Sequence, residues 1–286
     1  MINLEILEKR LIDNIINDKL KYAEILTDAM VYSVSAGGKR IRPQLVFECY
    51  KLFSNNEDLV LDAACALEYI HTYSLIHDDL PCMDNDDYRR GKPSCHKKYG
   101  EDIALLAGDA LLTLAFKVIL NCKVDADRMI KAVSVLSDFI GMKGMVGGQI
   151  IDLQSENKKV SLDVVLKTYE LKTSALIQAA CMVGAVLGGA NDKQLSKISD
   201  YAYNLGIAFQ IKDDILDVIG SAEKLGKPIG SDDSNNKSTY VSLVCMDNAQ
   251  KAVLEYSNKA KESIAVFGEK AEFLNNLVDK LIVREN

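Results

Sequence analysis

The chain has 286 residues, 48% of them hydrophobic, enough to bury a sizeable core in one large domain or two ordinary ones. Its 34 basic and 41 acidic residues leave a formal charge of −7. That balance excludes a global basic footprint, so no nucleic-acid partner is expected and any phosphate must be held by local groups. The seven cysteines (Cys49, Cys65, Cys82, Cys95, Cys122, Cys181, Cys245) are odd in number and form no C-x-x-C. They argue against a disulfide framework or a zinc site and for a reducing, cytoplasmic setting.

Strand alternation is nearly absent and helical spacing recurs. The segment MINLEILEKRLIDNII carries acids from Glu5 onward and lacks the apolar run of a signal peptide. Within it, Leu4, Leu7, Leu11 and Ile15 fall on one helical face, as do Leu59, Ala63, Ala66, Leu67 and Ile70 further on. Ala104 to Leu120 reads as a long buried helix. Ser161 reads as the N-cap of a helix running towards Leu187. That helix contains the most apolar window, Ala175 to Ala190, interrupted by Gln178 and rich in glycine. It is short for a bilayer, so a buried helix without membrane insertion is expected. Further helices are expected from about Ile198 to Ile219, Asn248 to Phe267 and Lys270 to Val283. With no repeat and no linker, the pattern predicts one all-α domain over residues 1–286.

The four prolines, Pro43, Pro81, Pro93 and Pro228, sit in the clusters GGKRIRP, DDLPCMD, RRGKP and LGKPIGSDD. Proline is excluded from helix interiors, so irregular backbone gathers where the unusual polar residues are. In HDDLPCMDNDDYRRGKP, Asp78 and Asp84 are six apart and would point to different sides of an ideal helix. A helix ending near Asp79, with a bulge through Leu80 to Met83, would return Asp84 to the side of Asp78. The alternating ligands and glycine of an EF-hand loop are missing. The second acidic cluster, QIKDDILDVIG, places Asp213 and Asp217 at i and i+4, on one helix face. Like charges at that spacing need a cation between them, and the apolar flanks suggest burial. Two such clusters on facing helices suit Mg²⁺, a hard ion that keeps waters and is completed by substrate phosphates. Lys39, Arg40 and Arg42, with Arg89 and Arg90, supply cations suited to phosphate oxygens. The ligand expected from the residues is a metal-bound diphosphate, with a second, metal-free one on the basic residues and a greasy group attached.

These blocks resemble the trans-prenyl diphosphate synthases. DDLPCMD is similar to that family's first aspartate-rich motif and DDILD to its second. GGKRIRP, HTYSLIHDD, RRGKPSCHKKYG, LAGDALL, GMVGGQIIDL, YELKTSALI, GIAFQIKDDILD, LGKPIGSDD and NKSTYVSL follow in family order from Gly37 to Leu243. The resemblance implies roughly a dozen helices around a central cavity, a homodimer, and head-to-tail addition of isopentenyl diphosphate to an allylic diphosphate. It implies Mg²⁺ on Asp78 and Asp84 from one wall and on Asp213, supported by Asp217, from the other, with three ions when substrate is bound. It further implies Lys39, Arg42, His71 and Arg90 on the isopentenyl diphosphate, and Arg89, Lys172 and Lys227 on the allylic diphosphate. Thr173 and Gln210 would lie near the developing carbocation. Asp79, Asp86, Asp87 and Asp214 read as supporting charges, His77 and His96 as structural, and Cys82 and Cys95 as incidental. Gly147 and Gly148 would allow close helix packing, with Gln149 and Asp152 near the cavity.

Ser74 and Tyr73 lie four and five residues before Asp78, one turn or about 5.4 Å below it, where they would form the cavity floor. In the resembled family a bulky residue there goes with short products, which points to farnesyl diphosphate, as in the bacterial geranyltranstransferases, with geranylgeranyl diphosphate as the alternative. A terpene cyclase would need only one diphosphate, and the second basic set argues against it. A non-catalytic synthase subunit would tend to lack one aspartate motif, and both are present.

Overall fold

The structure, a computed structural model, describes residues 3–219 and 238–284. Helices account for nearly all of its regular structure. Helix α1 (Leu4–Asn17) starts where the Asn3 side chain accepts from the Glu5 and Ile6 amides, and it buries Leu7, Leu11 and Ile15. Leu4, expected on the same face, is exposed at the first position of the helix. Helix α2 (Glu24–Val34) leads through Gly37 and Gly38, both with positive φ, into α3 (Ile41–Lys51). Helix α4 (Leu61–Asp78) is buried along most of its length and ends at the first aspartate. A minimal hairpin follows, β1 (Tyr88–Arg89) against β2 (Lys92–Pro93), then α5 (Cys95–Tyr99) and α6 (Glu101–Ile119). Helices α7 (Ala126–Ile140) and α8 (Met145–Ser155) complete the first half.

The expected helix from Ser161 towards Leu187 is one rod with a change of pitch: α9 (Leu162–Thr168), a π-helical turn (Tyr169–Ser174) and α10 (Ala175–Gly188). Ser161 occupies the N-cap position, but its side chain makes no capping bond. Helix α11 (Asp192–Ile219) begins six residues before the expected start. After the undescribed stretch come α12 (Tyr240–Val244), opened by a reciprocal Thr239–Ser242 capping box, α13 (Met246–Ile264) and α14 (Glu272–Val283).

Helix α10 is the hub, with every residue but Met182 buried, and it packs against α3, α7 and α11. The approach to α3 requires Gly184, where a Cβ would stand 2.2 Å from the Val46 carbonyl oxygen. Helix α6 lies along α4, and Gly108 makes room for the His77 ring. Two stretches, Glu57–Asp78 and Leu162–Gly188, are long and apolar enough to cross a membrane, but 72% and 78% of their apolar windows are buried inside the protein. Their hydrophobicity is spent on the core, as expected for Ala175 to Ala190.

Candidate active site

The first acidic wall forms where α4 stops. Beyond Asp78 the chain turns on itself: the Leu80 amide donates to the His77 carbonyl at 3.2 Å, the Met83 amide to Leu80 at 2.9 Å and the Asp84 amide to the Asp78 carbonyl at 2.9 Å. Pro81 sits in this turn, where its missing N–H costs nothing. Two aspartates six apart in sequence are thereby adjacent in space. Burial, reinforced by Asp84 and Asp79 and opposed by Lys172 and Arg89, pushes the Asp78 carboxyl up to about 6. Asp79 is buried and accepts from Arg89 Nε at 2.9 Å, while Asp86 accepts from Arg89 Nη2 at 2.9 Å. Asp87 pairs with Lys97 at 2.9 Å. Three of the surplus aspartates thus hold cations of the hairpin and of α5, and Arg89 reaches the site already braced by two carboxylates.

The second wall is α11. Asp213 and Asp217 share a face, and Asp217 is only 3% exposed. Asp214 is buried, where it accepts from the Tyr169 hydroxyl and from the Tyr240 amide, the latter at 2.8 Å. Asp213 accepts from Arg284 Nη2, a partner that no local sequence signal announced. The same guanidinium donates to the Phe209 carbonyl at 3.2 Å and stacks over the Phe209 ring with its central carbon 4.1 Å from the centroid. Lys227 lies outside the described residues.

Between the walls runs the π turn. The wider pitch of such a turn displaces its side chains from the helical raster, a common feature of functional sites. Here it presents Lys172 and Thr173. Lys172 Nζ donates to Asp152 at 2.5 Å and Thr173 Oγ1 to Gln210 Oε1 at 2.8 Å. Helix α8 reaches this turn only because residue 148 is glycine: a Cβ there would stand 2.2 Å from the Lys172 nitrogen. Gly147 makes room in the same way for the Met142 carbonyl.

The basic residues line a pocket of about 530 Å³ that includes Lys39, Arg42, His71 and Arg90. Arg42 Nε is buried with no partner among the described residues, and burial pushes this guanidinium down to about 10. An orphaned, desolvated donor of this kind is suited to an incoming anion. Burial, together with the nearby Arg42 and Arg90, holds the His71 imidazole well below its usual range, so it is neutral at physiological pH. Arg90 donates from Nη1 to the Gly37 carbonyl and places Nη2 3.4 Å from His71 Nε2. Arg40 departs from expectation. Its guanidinium is turned inward and bonded to Glu8, Glu68 and the Val34 carbonyl, so it is not one of the phosphate-facing cations.

A cavity of about 380 Å³ is lined by Arg42, His71, Asp78, Lys172 and Thr173 together with Tyr73, Ser74 and His77. Tyr73 is 7% exposed, with its ring edge-on to His77 at 5.7 Å. His77 Nε2 lies 3.0 Å from the Leu105 carbonyl, in keeping with a structural role. The opposite side is supplied by Val146, Ile150 and Leu153 of α8, which sequence reasoning did not single out although their i, i+4, i+7 spacing is readable. Gln149 adds an amide nitrogen buried without a partner.

Among the described residues, no three carboxylate, histidine or cysteine groups converge into a ready metal cage. The arrangement still fits a hard divalent ion: Asp78, its carboxyl pushed up by burial and by neighbouring Asp84 and Asp79, would gain from a cation that leaves positions for water and phosphate oxygens.

Residues 23–273 match the family model described as polyprenyl synthetase. The chain belongs to the polyprenyl synthetase family. Among its relatives, the chain is 41% identical over 284 residues to the farnesyl diphosphate synthase of Bacillus subtilis (strain 168), covering 97% of this chain and 96% of that protein. It is 44% identical over 286 residues to the geranylgeranyl diphosphate synthase of Cyanophora paradoxa, covering 97% and 94%. The structure superposes on an FPP/GFPP synthase from Zymomonas mobilis in its apo form with a TM-score of 0.84 and 33% identity, over 98% of this chain and 99% of that one. The fold is therefore the all-α isoprenoid synthase fold, and the protein is a trans-prenyl diphosphate synthase, a prenyltransferase.

Proposed function

We propose that the protein makes farnesyl diphosphate by adding isopentenyl diphosphate in trans to dimethylallyl and then geranyl diphosphate, with Mg²⁺ as its metal. The observation that carries this reading is a cavity whose lining brings Asp78, Arg42 and Lys172 together with the Tyr73 ring and the apolar side chains of α8. Asp78 and Asp84 from one wall, and Asp213 and Asp217 from the other, would hold three Mg²⁺ ions on the allylic diphosphate. Bound there, Mg²⁺ supplies charge stabilisation to the departing diphosphate. Lys172 and Arg89 bind the same leaving group, as cations placed where negative charge develops, and the resemblance assigns Lys227 to it as well. The oxygens of Thr173 and Gln210, fixed by their mutual hydrogen bond, face the positive charge left on the prenyl group. Apolar side chains of α4 and α8 keep water from it.

Isopentenyl diphosphate sits on Lys39, Arg42, His71 and Arg90, with Arg42 Nε gaining the partner it lacks. By family resemblance, the released diphosphate takes the proton. A homodimer is carried over from the family resemblance, and the free cysteines suit a reducing, cytoplasmic setting.

The test is to incubate the purified enzyme with dimethylallyl and isopentenyl diphosphates and Mg²⁺ and to size the dephosphorylated alcohols. A dominant C15 alcohol is expected. A dominant C20 alcohol would transfer the assignment to geranylgeranyl diphosphate synthesis, a reading favoured by the relative from Cyanophora paradoxa. Failure to consume isopentenyl diphosphate would favour a cyclase or a non-catalytic subunit.

A further inference from the structure

The loop bearing the basic pocket is held by an arginine whose guanidinium is already committed to protein partners. Arg40 is 3% exposed and adopts a left-handed conformation, φ 49° and ψ 38°, which is disfavoured for residues with a Cβ. Its guanidinium meets the Glu8 carboxylate twice, from Nε at 2.7 Å and from Nη2 at 3.0 Å. Nη1 donates to Glu68 at 2.5 Å and Nη2 to the Val34 carbonyl at 2.7 Å. A guanidinium has five N–H donors, and these contacts use all but one. Three helices, α1 through Glu8, α2 through Val34 and α4 through Glu68, thus converge on one side chain.

The residues on either side have the opposite character. Lys39 is exposed, and Arg42 lies in the first turn of α3 with its Nε unpartnered; both line the basic pocket. Gly37 and Gly38, with φ of 92° and 131°, leave the loop before them without steric guidance of its own. What fixes its path is the inward anchor at Arg40. Glu68 is 2% exposed and sits one turn before His71, so the anchor shares a helix with a third pocket residue. The Glu8 side chain is 39% exposed against 1% for Arg40, so removing its charge still leaves the buried guanidinium paired with Glu68. The bidentate geometry of the Glu8 contact specifies direction.

We infer that Glu8 and Arg40 are positioning residues for the non-allylic diphosphate: the clamp Glu8–Arg40–Glu68 fixes the left-handed loop so that Lys39 and Arg42 converge on one anion. The inference rests on the placement of isopentenyl diphosphate in the basic pocket. The allylic diphosphate is held elsewhere, by the end of α4 and by α11, so its binding is separable.

The experiment compares wild type with Glu8→Gln and Glu8→Asp, varying each substrate in turn while the other is saturating, and records Tm. Glu8→Gln is expected to raise KM for isopentenyl diphosphate about tenfold, with kcat and the allylic KM within about twofold. Glu8→Asp should recover part of the loss, and Tm should stay within a few degrees. An unchanged KM for isopentenyl diphosphate, or an equal loss in both KM values and kcat, would overturn the inference. If wild type consumed no isopentenyl diphosphate, the functional reading would fall on its own. Calorimetric binding of inorganic diphosphate without metal would then decide: weaker binding to Glu8→Gln supports the clamp, and equal binding overturns it.

Discussion

The Asp84 amide donates to the Asp78 carbonyl at 2.9 Å, so two carboxylates six residues apart are carried by one hydrogen-bonded turn. Backbone, not side chains, sets their spacing, which leaves both carboxylates available to a cation. Removing either group should therefore remove function without removing structure.

Asp78→Ala and Asp213→Ala should each lower turnover by about 10³-fold, the scale associated with losing one group that stabilises developing charge. Tm should change little in either variant. Asp78 is held above its usual range by burial, so its removal relieves a desolvation cost rather than breaking a scaffold. Isopentenyl diphosphate consumption measured beside a thermal melt checks both halves, and near-normal activity in both variants would refute a mechanism that needs two acidic walls.

Arg42→Lys should raise KM for isopentenyl diphosphate by about 10-fold or more despite keeping the charge. Lysine lacks the planar fork of arginine and cannot place a donor where the buried Nε lies. Initial rates over a range of isopentenyl diphosphate concentrations check this. An unchanged KM would mean that the orphaned donor does not meet the substrate.

How far the site was legible follows from the range of each interaction. Asp213 and Asp217 on one face, and the turn at Pro81, depend on neighbours in sequence, and both were readable. So were Asp79 and Asp86 as supporting charges, since Arg89 lies only ten and three residues away. The inward role of Arg40 was not, because its partners Glu8 and Glu68 lie 32 and 28 residues away and follow no period. Arg284 on Asp213, 71 residues apart, was equally silent. Helix boundaries show the same division. The end of α4 is written in the sequence by Pro81, whereas the π turn at Tyr169–Ser174 is set by close packing against α8 and by Gln210 across the cavity.

That packing gives a prediction of its own. Gly148→Ala would place a methyl 2.2 Å from the Lys172 nitrogen, against backbone that cannot rotate away. Overpacking of this kind costs about 1–3 kcal/mol, and the π turn must move with it. Both stability and kcat should fall, because Lys172 and Thr173 ride on the displaced turn. A melt and a rate assay on the variant check this, and full activity would show that the turn tolerates repositioning.

The low position of the His71 pKa has a signed consequence for stability. The unfolded chain takes up a proton near the ordinary histidine value of about 6.5, whereas the folded protein resists it to much lower pH. Between those two points the unfolded state binds more protons, so stability falls as pH falls below about 6.5. His71→Gln keeps a polar side chain but no titration. It should lose less stability than wild type between pH 7 and pH 5, as measured by denaturant melts at each pH. Parallel losses in the two proteins would show that other groups govern the acid limb.

Tyr73 sets the last expectation, because it lines the cavity five residues before Asp78 on the same helix. Tyr73→Ala opens the space below the first aspartate by roughly one helical turn, about 5.4 Å, a length comparable to one isoprene unit. Products should lengthen from C15 to C20 and beyond, while the rate of isopentenyl diphosphate consumption stays within about tenfold, since no diphosphate or carbocation contact is removed. The stability cost should sit near the lower end of the ~3–5 kcal/mol range for deleting a buried aromatic ring, because the ring already borders open space. Chromatography of the dephosphorylated alcohols settles the matter, and an unchanged C15 product would move the length-setting floor from α4 to the α8 side, where Val146 and Ile150 face the same cavity.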